Sequence, residues 1–208
     1  MATPALAQDG SVKITNLTNA IYFTPLLRAA HDQSLDLFEV RDAASPELQA
    51  IAEGGDTTAL EMLATIVANP AEGLLAPGAS AAAELEIGGT ELLSIVAMTL
   101  PTNDGFVGLD SYPMQVNELN NGAVTLCLYG YHAGSEANDE IVNGGGAPGV
   151  PRIPADPVGL NGTLSSGAAG ADITNHVHIH RGNIGDDELV CGKSDLDRSV
   201  HRWIHPPA

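Results

Sequence analysis

The run "AAAELEIGGTELLSIVAMTLP", residues 81–101, decides how the rest of the chain is to be read. Glu86 falls between Leu85 and Ile87, and a strand turns successive side chains to opposite faces, so the carboxylate would lie on a solvent face and its aliphatic neighbours inside. Gly88 and Gly89 interrupt the pattern with a two-residue hairpin signal. Beyond them a second strand sets Ser94, Val96 and Met98 on one face and Ile95, Ala97 and Thr99 on the other. The run is therefore two strands.

Working outward, most of the chain has the same character. "SVKITNLT" (11–18) alternates and is β-rich, and "AIYFTPLL" (20–27) follows, with Pro25 limiting further pairing. "GAVTLCLYGY" (122–131) is another strand candidate. Two stretches break the pattern. Ser45 is placed as an N-cap with Pro46 at the first helical position, Leu48, Ile51 and Ala52 at helical spacing, and a Gly54-Gly55 stop. Asp56 caps a second segment in which Leu60, Leu63, Ile66 and Val67 share a face before Asn69-Pro70 ends it. Residues 143–170 are too rich in glycine and proline for regular structure and read as a long surface loop. Many short strands joined by Gly/Pro turns predict a mainly β protein, an antiparallel β-sandwich with two short helices, at about 46–53 and 57–68, packed at its side.

Near the C-terminus, "NHVHIHR" (175–181) alternates His176, His178 and His180 with Val177 and Ile179. On a strand the histidines share one face while the valine and isoleucine enter the core. Neighbouring histidines about 6.6 Å apart can grip one ion, whereas the outer two, about 13 Å apart, are strained to join. A copper or zinc site here needs a further ligand from elsewhere, with His201, His205 and Asp172 as candidates. The alternative is a solvated strand face.

With 208 residues and 44% hydrophobic content, the chain is long enough to bury a full core, and residues 11–208 are expected as one domain. Twenty-six acidic residues against eight basic ones give a net charge of −18, which repels phosphate backbones and anionic lipid surfaces and argues against nucleic acid as a partner. No apolar run is long enough to span a bilayer. Residues 1–10 are either the remnant of an export signal or a disordered start: Ala5-Leu6-Ala7 has the small-x-small pattern of a signal-peptidase site, although no apolar segment precedes it. A secreted or periplasmic location is the expectation. Cys127 and Cys191 agree with an oxidising compartment if they pair. Asn16-Leu17-Thr18 and Asn161-Gly162-Thr163 match the short glycosylation sequon.

Five stretches taken together resemble a known family. "FTPLLRAAHDQSLDLFEV" (23–40), "SPELQAIAEGGDTTALEMLA" (45–64), "AELEI" (83–87), "PTNDGFVGLDS" (101–111) and "HAGSEANDE" (132–140) stand in the order found in the spondin N-terminal domain, shared by F-spondin, mindin and secreted bacterial proteins. The resemblance extends from about Val12 to Trp203. It implies a β-sandwich similar to C2 domains, with helices at its side and a calcium ion among loops at one end. It also implies a non-enzymatic binding or adhesion role toward an extracellular protein or surface glycan.

Carried over motif by motif, the calcium ligands implied by the resemblance are Glu86, Asp104 and the residue at 132. There the family has aspartate and this chain has His132. Calcium takes about six to eight oxygen ligands, for which imidazole is a poor substitute. Glu136 is the first candidate to supply the missing oxygen, followed by Asp139, Glu140 and a backbone carbonyl near Asn103. The exchange of oxygen for nitrogen also opens the site to zinc, manganese or copper. Asp110 is a candidate outer ligand or a cap.

Other chemistries lack their motifs. "GNIGDDELVCGKSDLD" (182–197) does not keep the EF-hand register, "GGGAPG" (144–149) lacks the lysine of a phosphate loop, and no nucleophile elbow surrounds Ser165 or Ser166. Where similar proteins continue into a closing strand, this sequence reads "HPPA", with two prolines unable to join a ladder. That predicts an open sheet edge available for self-association.

Overall fold

The computed structural model describes residues 8–63, 73–87, 92–114, 122–144, 149–150, 152–154, 157, 173–185, 193–197 and 199–202. The strands form two antiparallel sheets. In the smaller, β1 (Gln8–Thr15) pairs with β4 (Ser80–Ile87) from Gln8 opposite Ile87 to Thr15 opposite Ser80. Strand order in the larger is β2 (Tyr22–Phe23), β5 (Leu92–Leu100), β6 (Gly105–Pro113), β7 (Tyr129–His132) and β8 (His178–Ile179), with β3 (Leu27–His31) also paired to β5. This mainly β architecture with two helices matches the expected class and is consistent with a C2-like sandwich.

The two-glycine hairpin signal is misleading. β4 and β5 are both strands, but β4 pairs with β1 while β5 pairs with β2, β3 and β6, so they belong to different sheets. Residues 88–91 lie outside the described set. Glycines permit a chain reversal without requiring the flanking strands to pair with each other.

β5 is central, and every residue from Leu93 to Leu100 is buried. Its two faces serve two cores. Ile95 and Ala97 pack with Ile14 of β1, Leu85 of β4, Phe23 and Val107 between the sheets. Val96 joins Leu27, Phe106, Leu48, Ile51, Ala52 and Leu60, which seats the helices on the opposite side. Burial on both faces explains why the β5 sequence runs continuously apolar while β4 alternates.

β2 and β3 are one edge strand broken in the middle. Between them Thr24 Oγ1 accepts the Met98 N–H at 3.0 Å, and the Thr24 N–H donates to the Met98 carbonyl at 3.0 Å. A side chain thus replaces a ladder bond next to Pro25.

Helix α1 (Pro46–Gly54) has the cap read from the sequence: Ser45 Oγ accepts the Leu48 N–H at 3.1 Å. Gly55 stops it at φ 67°, where a Cβ would also stand 2.8 Å from Thr24 Cγ2. Helix α2 spans Thr58–Leu63, and the remainder of its expected extent, to residue 68, lies outside the described set.

Two further expectations are corrected. Of the strand foreseen at 122–131, only Tyr129–His132 pairs, because the β6–β7 ladder ends at Gly108 opposite Tyr129. Beyond that point β5 and β6 shift register near Ser94, and Ser111 takes φ 51°, so β6 offers no straight edge to continue against. β1, for its part, begins at Gln8 rather than 11.

The sequon at Asn16 is a structural device. Its side chain is fully buried: Nδ2 donates to the Ile21 and Leu75 carbonyls at 2.8 and 3.0 Å, and Oδ1 accepts from Thr18 N and Oγ1 at 3.0 and 2.7 Å. No amide N–H remains there for a glycan.

Candidate functional site

The turn between β5 and β6 fixes the first candidate ligand. Thr102 Oγ1 accepts the Gly105 N–H at 3.0 Å and donates to the Thr99 carbonyl at 2.6 Å. A Cβ at Gly105 would strike Thr102 Oγ1 at 2.5 Å, so only glycine closes this turn. Asp104 is held inside it. The register sets Gly105 opposite His132, and the Ala133 N–H donates to the Asp104 carbonyl at 3.0 Å.

Both Asp104 oxygens are engaged by protein donors. His132 Nδ1 donates to Oδ1 at 2.8 Å, and Oδ2 accepts the N–H groups of Ser135 at 2.9 Å and Glu136 at 3.3 Å. Burial pushes this carboxyl upward, but the bond and charge of His132, followed by the Glu136 and Ser135 N–H groups, outweigh it and hold it below the ordinary carboxylate range.

Glu136 is the opposite case. Burial, then the charges of Glu53, Asp104 and Asp139, push its carboxyl up to about 8, against a smaller lowering by the Asn103 side chain. Its Oε2 is buried with no hydrogen-bond partner among the described residues. Asn103 ties the surroundings together, donating to Asp139 Oδ1 at 3.0 Å and accepting the Glu140 N–H at 3.1 Å. Glu140 is not an available ligand: its oxygens accept the N–H groups of Ile184 and Gly185 at 2.7 and 2.8 Å and the Ser194 hydroxyl. Those bonds clasp the C-terminal segment to the sheet.

The histidines meet His132 rather than solvent. His132 pairs with His178 across β7 and β8. Its ring stacks on His180 at 3.9 Å and 13°, and on His178 at 5.1 Å and 22°, while His176 leans on His178 at 5.5 Å and 52°. The expected burial is therefore partly inverted. Val177 is buried as foreseen, but His180 is 1% exposed and Ile179, on the edge strand, is 58% exposed. Nδ1 of His176 donates to the Thr174 carbonyl at 2.7 Å, and Nδ1 of His178 to the His176 carbonyl at 3.0 Å. His180 is reversed, its Nδ1 accepting the Gly182 N–H at 2.9 Å.

The structure thus brings Asp104, His132 and Glu136 together, with His178 and His180 beside them. Glu86 is not brought to this group. It lies on β4 opposite Asp9, and only a short connection leads from Ile87 to Leu92, at the end of β5 remote from the 101–104 turn. Its side chain lies outside the described set. Asp110 acts as a cap, accepting the Leu37 N–H at 2.9 Å and the Ser94 hydroxyl at 3.1 Å, well along β6 from Asp104. Among the described residues no group of three His, Cys, Asp or Glu side chains is gathered closely enough to hold a metal ion as it stands. Parallel stacked imidazoles direct their lone pairs along parallel planes, which is poor geometry for chelation.

Glu53 was missed in the sequence. It is 1% exposed at the end of α1, accepts the Gln49 side-chain amide at 2.7 Å and the Gly149 N–H, and faces Glu136 electrostatically. The available signal was a carboxylate directly after the apolar pair Ile51-Ala52, too near the buried stripe to be fully solvated.

A mainly β domain of two antiparallel sheets, with side helices and an acidic, histidine-rich loop end, defines a class of binding module rather than a recognisable enzyme centre. Residues 15–141, more than half of the chain, match the sequence pattern described as Spondin_N, and the chain belongs to the spondin N-terminal domain family. Members of that family are typically extracellular, and it is not a known enzyme family. No curated protein matches the chain. Among the described residues no helix is long and apolar enough to cross a membrane.

Proposed function

We propose that this protein is an exported, non-enzymatic spondin-type module whose loop end is stabilised by calcium and presents a contact surface to an extracellular protein or surface glycan. The observation that carries the cation is Glu136, whose buried Oε2 lacks a partner while the Glu53, Asp104 and Asp139 charges surround it. Mutual repulsion keeps these carboxylates apart, and a divalent cation would offset that repulsion and draw oxygens inward. Glu136 and Asp139 are the candidate donors, with Asn103 nearby. Asp104 would position the loop through its bonds to Ser135 and Glu136 rather than surrender its oxygens. The binding role rests on family membership, and the export on the family's usual location and the Ala5-Leu6-Ala7 pattern.

Calorimetric titration of chelator-treated protein tests this. Calcium should bind with one-to-one stoichiometry and raise the melting temperature, and Glu136→Gln should abolish both effects. Absence of binding in the unsubstituted protein would remove calcium from the proposal.

A copper or zinc alternative draws support from one feature: His132 Nε2 is buried and without a partner among the described residues, while its Nδ1 is oriented by Asp104 as the second nitrogen of a metal-bound imidazole usually is. His178, and with it His176 or His180, would have to turn out of the stack to join it. Loss of a tight copper or zinc stoichiometry on His178→Ala would favour this alternative over calcium.

A further inference from the structure

Residues 122–128, "GAVTLCL", have strand character but no strand partner. Every residue from Gly122 to Cys127 is exposed, with Val124 at 42% and Leu126 at 36%, and Tyr129 just beyond at 38%. None of Ala123 to Leu128 makes a backbone hydrogen bond among the described residues. Natural sheets protect such a segment with lysine, proline or a covering element. Here residues 119–131 contain no charged residue and no proline.

From this we infer that residues 122–128 form the interface of a homodimer, pairing antiparallel with the same segment of a second copy. Charge selects the occupant. Each chain carries a net charge of −18, so two copies repel over most of their surfaces, and a contact between them is favoured where both are neutral. A cationic partner would instead be drawn to the acidic faces. Antiparallel self-pairing matches each unpaired N–H and C=O with its own complement, extends β7 across the two molecules, and covers Val124 and Leu126. Because long-range repulsion opposes this contact, salt should strengthen it, the reverse of an ionic interface.

Sedimentation equilibrium of the full chain across a concentration and salt series tests the proposal. The expected result is a reversible shift from 21.4 kDa toward twice that mass, tightening as salt rises. Val124→Lys with Leu126→Lys, at exposed positions that leave the far-UV spectrum unchanged, should weaken dimerisation roughly tenfold or more. Alkylation of the exposed Cys127 should slow as protein concentration rises in unsubstituted protein and not in the double variant. A monomer at every concentration, a dimer unaffected by the two lysines, or one that weakens with salt would overturn the inference.

Discussion

At Asp104 a single carboxylate accepts from one imidazole and two backbone amides, so one residue joins the β5–β6 turn, β7 and the 134–136 turn. Asp104→Asn exchanges an acceptor oxygen for a donor group facing another N–H. It should cost about 2–4 kcal/mol in urea denaturation. Glu136 gives a pH dependence of its own. In cation-free protein its carboxyl is pushed up to about 8 in the fold, against 4.5 for an unperturbed glutamate. Folded protein therefore holds an extra proton between those values, and stability falls as pH rises through that window. Its partial exposure reduces the effect to roughly 1–2 kcal/mol. Denaturation in chelator at pH 5 and pH 8 should show the decline, and Glu136→Gln should flatten it. For Asn16, expression in a glycosylating host should leave the residue unmodified by mass spectrometry, and Asn16→Ala should cost about 2–3 kcal/mol by exposing its buried partners to no replacement.

Among the elements, those fixed by local chemistry were legible in the sequence. Helix α1 carries its whole specification in Ser45, Pro46 and Gly55, since cap, first position and left-handed stop are each decided by one residue. Ser45→Ala should therefore cost about 1 kcal/mol, and Gly55→Ala more, because the new Cβ meets Thr24 as well as the unfavourable φ; differential scanning fluorimetry checks the order. The pairing partners were not legible. Nothing around Gly88-Gly89 tells that β4 joins β1, because a strand's own pattern sets which face is buried and leaves the neighbour to the packing of the whole domain. β6 went unforeseen because Gly105 and Gly108 interrupt its alternation. Gly108 is required there: a Cβ would come within 2.7 Å of the Phe38 ring, which packs with Phe106 and Tyr131. The histidine alternation was legible in direction, but the stacking against His132 that buries His180 comes from a strand remote in the chain.

Taken as one molecule, the domain reaches beyond the family match that ends at residue 141. β8 completes the larger sheet, Val177 enters the helix-side core, and the backbones of Val177, Arg41 and Asp42 bond reciprocally at 2.8 and 2.7 Å. A fragment ending at Ile141 would leave the Glu140 carboxylate without its Ile184, Gly185 and Ser194 donors. It should lose its sharp near-ultraviolet dichroism and bind a hydrophobic dye. A cooperative, native-like melt of that fragment would contradict the clasp described above.

Asn19 and Arg202 exchange two backbone bonds of 3.0 Å, and the Asn19 side chain reaches the Val200 carbonyl, 181 residues away. These contacts fasten the beginning of the domain to its last described turn. Ordering so wide a loop requires almost the entire polypeptide to be present at once. A chain emerging from the ribosome, or threading through a translocation pore, therefore stays unlatched until its final residues arrive, and acquires its lasting shape only on the side of the membrane where synthesis or transport delivers them.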